Sequence, residues 1–180
     1  MPEIIRNGRV ERDDWRFLDL PGASLAWPAS GDDPQLAAER IVVPLAAWLA
    51  RRDELLRNLG SVGVWLAPAD DPADLVPSLH LLPLVAVHFP RFADGRGYSS
   101  AVLLRTRYGY RGELRAVGDV GRDQLFYLAR CGFDAFALAP RRDPHAAVAS
   151  LADFGARYQG SVDDPLPLFR KRFAGGAARG

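Results

Sequence analysis

Between Val62 and Tyr158 short apolar runs alternate four times with stretches of helical spacing, and this rhythm leaves few folds open. Val62-Gly63-Val64-Trp65-Leu66 is continuously apolar and short, the mark of a strand covered on both faces. Asp70-Asp71-Pro72 opens a short helix ending near Leu79. Leu84 to Phe89 is the second strand, followed by a helix from Ser99 to Tyr108 with Leu103 and Leu104 inward. Glu113 to Val117 is the third strand, followed by a helix from Asp123 to Cys131 that packs Leu125, Phe126 and Leu128 and stops at Gly132. Ala135 to Leu138 is the fourth strand. Asp143-Pro144 then opens a last helix to about Tyr158, with Val148, Leu151 and Phe154 facing in. Parallel neighbours need a helical crossover, so these consecutive βα units predict an α/β fold built on a parallel sheet. Right-handed crossovers give a doubly wound sheet or part of a barrel. The strands are short and no first βα turn carries a glycine-rich dinucleotide fingerprint, which favours a half (β/α)-barrel-like arrangement.

Upstream, residues 3 to 18 read as an N-terminal β-ribbon turning at Asn7-Gly8, where both residues tolerate positive φ, with Val10, Trp15 and Phe17 on its apolar side. Leu25 to Ala29 is a short apolar piece cut off by Pro28 and the loop signal of residues 30 to 34. Ile41-Val42-Val43 predicts a brief strand. From Pro44 to Leu59 an amphipathic helix is expected, with Leu45, Trp48, Leu49, Leu55, Leu56 and Leu59 inward and Gly60 as its stop. The expected organisation is one α/β domain over residues 1–160 and a Pro/Gly-rich tail over 161–180. Leu166, Leu168, Phe169 and Phe173 of the tail are available to dock on the body or on a partner.

Composition narrows the function classes. The net charge of +1 gives no global field toward nucleic acid or a membrane surface. No run reaches the length of a membrane span, and MPEIIRNGRVERDDW has no apolar core of a signal peptide, so a cytoplasmic location is expected. Cys131 is the single cysteine, which argues against a cysteine-held cluster or structural zinc, and it reads as a core residue. The basic residues are arginines except for Lys171; a guanidinium fork suits anion recognition, although a GC-rich coding bias produces the same skew.

In parallel α/β sheets ligands bind beyond the carboxyl ends of the strands. Applied here, the second strand leads into PRFADGRGY, the third into GDVGRDQ and the fourth into Pro140-Arg141-Arg142, so the polar loops fall on one rim. In the first of them Asp94, Gly95, Arg96, Gly97, Tyr98 and Ser99 suggest an anion cradle at a helix start, with Ser99 or Ser100 as cap. A tight, well-capped turn is the alternative. In GDVGRDQ, Asp119 stands at a strand end where a catalytic base is common, with Arg122, Asp123 and Gln124 beside it; the alternative is a helix cap and an ion pair. Asp94 and Asp119 are thus the candidate catalytic residues. Gly95, Arg96, Gly97, Tyr98, Ser99, Arg115, Arg122, Asp123 and Gln124 are the candidates for anion or ligand binding. Arg115, mid-strand, is expected to face a barrel interior and pair with Asp94 or Asp119. His88 is read as a packing residue. His80 and His145 have no ligand spacing to each other, and no metal site is expected.

DGRGYS, RYGYRGELRAVGDV and RDQLFYLARCGFDAF, with the upstream VPLAAWLARRDELL and NGRVERDDW, resemble an uncharacterised bacterial family, a domain of unknown function to which an oxidoreductase role in sulfite reduction is ascribed, over roughly residues 4 to 160. Members are commonly encoded beside assimilatory sulfite reductase and phosphoadenylylsulfate reductase. The match covers Asp94 to Ser99, Arg111 to Leu114, Gly118, Asp119 and Arg122 to Gln124. Ser100 stands where glutamine is frequent in the family, and Gly121 where leucine is frequent, which is expected to loosen the loop before the helix. The resemblance implies an accessory protein or oxidoreductase of sulfate assimilation, with sulfite reductase as a partner and a small oxyanion or phosphate-bearing ligand on the arginine-rich rim. It transfers no catalytic residue and no cofactor, and no flavin, nicotinamide or iron–sulfur signature stands in the sequence. A stand-alone barrel-type enzyme using aspartate acid/base chemistry and arginine clamps, or a non-catalytic scaffold, are the alternatives. The edges of a half-barrel must be covered, by the ribbon, the tail or a second copy in a homodimer.

Overall fold

The alternating runs form one eight-stranded sheet in a computed structural model that describes residues 2–21, 39–58, 62–152 and 162. The strands are β1 (Glu3–Arg6), β2 (Arg9–Arg12), β3 (Trp15–Phe17), β4 (Arg40–Pro44), β5 (Val62–Leu66), β6 (Leu84–Phe89), β7 (Glu113–Gly118) and β8 (Ala135–Phe136). Their order is β2-β1-β8-β7-β6-β5-β4-β3. From β3 to β8 every neighbouring pair is parallel. The β1–β2 hairpin joins antiparallel on the free side of β8, with Ile5 opposite Phe136. Asn7 and Gly8 turn the hairpin, both at positive φ.

The connectivity forces the sheet to curl. β2 and β3 occupy opposite ends of the strand order, yet only Asp13 and Asp14 separate them in the chain. Three Cα–Cα steps span at most about 11 Å. The two edges therefore approach each other at this corner, and the result is a half-barrel in which the N-terminal segment supplies strands at both edges. Trp15 and Phe17 accordingly do not belong to the ribbon predicted for residues 3–18. They form β3, parallel to β4, and the buried apolar residues of the hairpin are Ile4 and Ile5.

Side-chain alternation sorts the strands into two cores. Ile41, Val43, Val64, Val85, Val87, Leu114 and Phe136 face the helices. Trp15, Val42, Trp65, Leu84, Ala86 and Val117 fill the concave side. The Trp65 indole donates to Leu18 O at 2.9 Å, tying β5 to the chain leaving β3.

The concave core also holds charge. Arg115 on β7 is fully buried and Asp13, from the corner between β2 and β3, is 6% exposed. Arg115 Nη1 lies 2.9 Å from both Asp13 carboxylate oxygens, and Nε donates to Glu113 Oε1 at 2.7 Å. Glu113 Oε2 accepts from Arg6 Nε at 3.0 Å, and Arg6 Nη1 donates to Glu11 at 2.8 Å. Arg115 does face the interior, but its carboxylates are Asp13 and Glu113 and not the expected Asp94 or Asp119. Residue 113 shares its face because the strand repeat is two residues, and Asp13 arrives through the curl.

The outer layer runs through α1 (Leu45–Leu55), α2 (Arg96–Val102), α3 (Leu125–Arg130) and α4 (Pro144–Val148). Leu49 of α1 is 49% exposed, not inward as expected. The segment Pro72–Leu81 winds as a 3₁₀ helix. Asp71 caps it, and Pro77 lies inside, where the missing N–H disfavours an α-helix. α2 starts at Arg96, earlier than the predicted Ser99, so neither serine is its cap. It continues as a π turn over Leu103–Arg107. From that turn Arg105 donates to the carbonyls of Gly132, Tyr110 and Gly112 at 2.8–2.9 Å and pairs with Asp134 at 2.6 Å. The expectations for Leu25–Ala29 and residues 30–34, for Leu59 and Gly60, for the last helix beyond Ala152 and for the tail's Leu166, Leu168, Phe169 and Phe173 lie outside the described residues.

Removing one member of a buried ion pair strands the other in low dielectric, at a cost of about 3–5 kcal/mol. Asp13→Leu and Arg115→Met should each lower stability by that amount in urea unfolding. The double variant Asp13→Leu/Arg115→Met should lose clearly less than the sum. Additive losses would show that the two groups do not interact.

Candidate functional site

The carboxyl ends of β6, β7 and β8 open on a cleft of about 880 Å³ at the mouth of the half-barrel. Its floor is Asp13, Trp15 and Phe17, its wall is His88, Val117 and Ala137, and Asp119 and Pro140 stand at its lip. This volume suits a small organic ligand. Side chains point inward because the same alternation that buries Leu84 and Ala86 places His88 on the concave face of β6.

His88 is 7% exposed and meets the Trp65 ring edge-on, with centroids 5.9 Å apart. Its ring nitrogens make no hydrogen bond to a described residue and are not sealed from solvent. Burial pushes the imidazole below its usual range, with the Asp94 carboxylate working in the opposite direction. The packing role expected for this residue is therefore only half of what it shows. Gly118 makes room for it. At φ +99° this residue is left-handed, and a Cβ there would lie 2.3 Å from Phe89 O and 2.8 Å from His88 Cδ2.

Hydrogen bonds join the two loops that the sequence places on one rim. Phe92 N–H donates to Asp119 Oδ2 at 3.0 Å, and Gln124 Nε2 donates to Phe92 O at 3.1 Å and to Tyr98 Oη at 3.2 Å. Gln124 Oε1 accepts from Gly121 N–H at 2.8 Å, which fixes the start of the 3₁₀ turn Arg122–Gln124. Gly121 has an extended φ and sits between the side chains of Arg142 and Asp123. Asp119 is half-exposed, and Arg142 Nη2 approaches its Oδ1 to 3.7 Å.

The other predicted residues serve more local ends. Arg96 Nε and Nη2 donate to the two Asp94 oxygens at 3.0 and 2.7 Å, and Asp94 also accepts from Arg96 N–H at 3.2 Å. The Arg96 hydrogen bonds hold the Asp94 carboxyl below the usual carboxylate range, so it is a charged turn anchor with little basicity. Gly95 is exposed and has nothing near its absent Cβ. Gly97 is buried because a Cβ would stand 2.6 Å from Phe89 Cζ; this glycine lets α2 pack on β6. Tyr98 meets Phe89 edge-on and the exposed Tyr127 at a tilt. Ser99, Arg122 and Asp123 are exposed. Of the predicted residues only Asp119 lines the cleft; Arg115 lies beneath it through Asp13. Sequence reasoning missed Asp13, Trp15, Phe17 and His88. Period-two alternation along Leu84–Phe89 does signal that His88 shares a face with Leu84 and Ala86, but nothing local signals that β3 lies across from it.

Three rim arginines have no carboxylate within ion-pair distance among the described residues, although Arg91 lies near enough to Asp94 to help hold its carboxyl down. Arg91, Arg122 and Arg141, one from each loop after β6, β7 and β8, are exposed and form no ion pair with a described residue. Arg141 holds φ +68°, uncommon for a side-chain-bearing residue.

A family model described as a bacterial protein of unknown function (DUF934) matches residues 63–169. No curated protein matches the chain. Among the described residues no helix is long and apolar enough to cross a membrane.

Two outcomes test the site's geometry. A histidine whose pKa is lowered in the fold binds its proton more readily in the unfolded chain, so its contribution is present above the ordinary histidine pKa and is lost as pH falls from there through the lower folded value. The urea midpoint should therefore drop more from pH 7.5 to 5.5 in the wild type than in His88→Gln; equal drops would contradict the burial argument. Gly118→Ala should cost about 1–3 kcal/mol, measured by the same titration, because it adds left-handed strain and a clash with Phe89 O.

Proposed function

The chain belongs to the DUF934 family of bacterial proteins, and we propose that it serves as an accessory protein or oxidoreductase of assimilatory sulfite reduction, presenting an arginine rim to an oxyanion or a phosphate-bearing ligand. One observation carries the rim: Arg91, Arg122 and Arg141 are exposed on the three loops that follow β6, β7 and β8, and none forms an ion pair with a described residue. Exposed guanidinium groups without partners are free to fork onto an anion. The sulfur-assimilation assignment draws on the resemblance of DGRGYS, RYGYRGELRAVGDV and RDQLFYLARCGFDAF to the sulfite-reduction family. Sulfite reductase is the partner that this resemblance suggests.

A second reading, a stand-alone barrel-type enzyme, draws on Asp119. It lies at the cleft lip with one oxygen held by the Phe92 N–H, the posture of a positioned base. Asp94 fits that role poorly, because both of its oxygens bind Arg96.

Growth of a deletion strain on sulfate, with growth on cysteine as control, separates these. The variant Arg91→Gln/Arg122→Gln/Arg141→Asn should fail on sulfate while remaining folded; asparagine is chosen at 141 because it tolerates the left-handed backbone. Full growth of that variant would overturn the rim, and growth of the deletion strain itself on sulfate would overturn the assignment. Asp119→Asn keeps an acceptor for Phe92 N–H, so loss of growth from it alone would favour the enzyme.

A further inference from the structure

The rim arginines do not account for the cleft beneath them, which is mostly apolar. Trp15 and Phe17 form its floor, Val117 and Ala137 its wall, and Pro90 and Pro140 its lip. An inorganic oxyanion leaves such a surface unused. Besides Asp13, the polar side chains lining this space are Glu3, Arg16, His88 and Asp119; Arg16 pairs with Glu39 and Glu3 lies 3.6 Å from His145 Nε2, which leaves the His88 imidazole, more than nine-tenths buried and without a hydrogen-bond partner among the described residues, and the Asp119 carboxylate. The His88 ring nitrogens are not among the sealed polar atoms, so they open on this space, and a ligand that hydrogen-bonds to them takes the place of water there. The Asp13 carboxylate at the floor is already committed to Arg115 and offers no free charge.

We infer that the cleft is a binding site for a small organic anion with a flat aromatic or heteroaromatic body, which hydrogen-bonds to His88 inside and points its acidic group outward to Arg91, Arg122 and Arg141. The flat body matches the aromatic floor and the proline lip, since rings stack well on such faces. The acidic group matches the rim. Gly118 belongs to the same design: without a Cβ it lets the end of β7 close against the Cδ2 edge of His88. The inference goes beyond the sulfur-assimilation reading. It stands on the cleft, and it survives if growth on sulfate proves independent of this protein.

The test uses the full chain labelled at the histidine rings, titrated separately with adenosine 5′-monophosphate, 8-anilinonaphthalene-1-sulfonate, adenosine and inorganic phosphate. Adenosine monophosphate and the anilinonaphthalene sulfonate should each shift the His88 ring signal and change tryptophan emission, because Trp65 meets that ring and Trp15 lines the same cleft. Adenosine and inorganic phosphate alone should bind at least tenfold more weakly than adenosine monophosphate. His88→Phe, which keeps a packed ring but removes both nitrogens, should weaken binding about tenfold, the loss expected for one hydrogen bond. If His88→Phe does not fold, His88→Ala should show the same loss. Inorganic phosphate binding as tightly as adenosine monophosphate would overturn the site in favour of a plain anion rim. Unchanged affinity in a folded His88 variant would overturn the role of the imidazole. No perturbation of His88 by either aromatic anion at millimolar concentration would overturn the inference altogether.

Discussion

A guanidinium in the middle of a parallel strand is an expensive thing to bury, and the rest of this structure is arranged around how Arg115 is neutralised. Its counterions come from two directions. Glu113 stands two residues away on the same strand face, and Asp13 reaches in from the corner where the chain passes from one edge of the sheet to the other. The pair therefore exists only if the sheet curls. Conversely, the curl leaves a charged residue at its centre that no solvent reaches. The N-terminal segment is thus structural in the strict sense: it caps one edge with a hairpin, forms β3 at the other, and supplies the interior carboxylate.

From that constraint the position of the cleft follows. Curling brings Trp15 and Phe17 of β3 across from the ends of β6, β7 and β8, so the mouth acquires an aromatic floor that a flat sheet would not have. The loops above it are fastened to one another by Asp119, Phe92, Gln124 and Tyr98. Most of the eye-catching polar residues do this fastening work. Arg96 and Asp94 satisfy each other, and Gln124 holds a turn, whereas His88 has no hydrogen bond to a described residue and Arg91, Arg122 and Arg141 form no ion pair with one. The family match begins at residue 63, whereas the floor of the cleft lies upstream of it, so both parts of the chain are needed to build the mouth.

Much of the parallel sheet was legible because strands covered on both faces read as continuous apolar runs, as at Val62–Leu66 and Leu84–Phe89. Crossover geometry left a doubly wound sheet open as well, and the half-barrel was legible from the short strands and the missing glycine-rich dinucleotide fingerprint. What local pattern does not encode is which distant strand lies across a curl. Trp15 and Phe17 therefore read as one side of a ribbon, and Arg115 was expected to pair with the nearest conspicuous aspartates. The predicted rim combines two signals that local sequence cannot separate: a glycine needed for packing, as at Gly97 against Phe89, and a glycine needed to cradle an anion look the same. His88 illustrates the converse, since its alternation gave its burial correctly while its free nitrogens depend on everything around it.

The most direct test of the account is the hydrogen exchange of the Arg115 side chain, read from its ¹⁵Nε resonance near neutral pH. A guanidinium locked between Asp13 and Glu113 inside a curled sheet should have an Nε proton protected to the level of the backbone amides of β6 and β7. Exchange at the rate of an exposed arginine would mean that water reaches the interior, that the sheet edges do not meet, and that the cleft as described does not form.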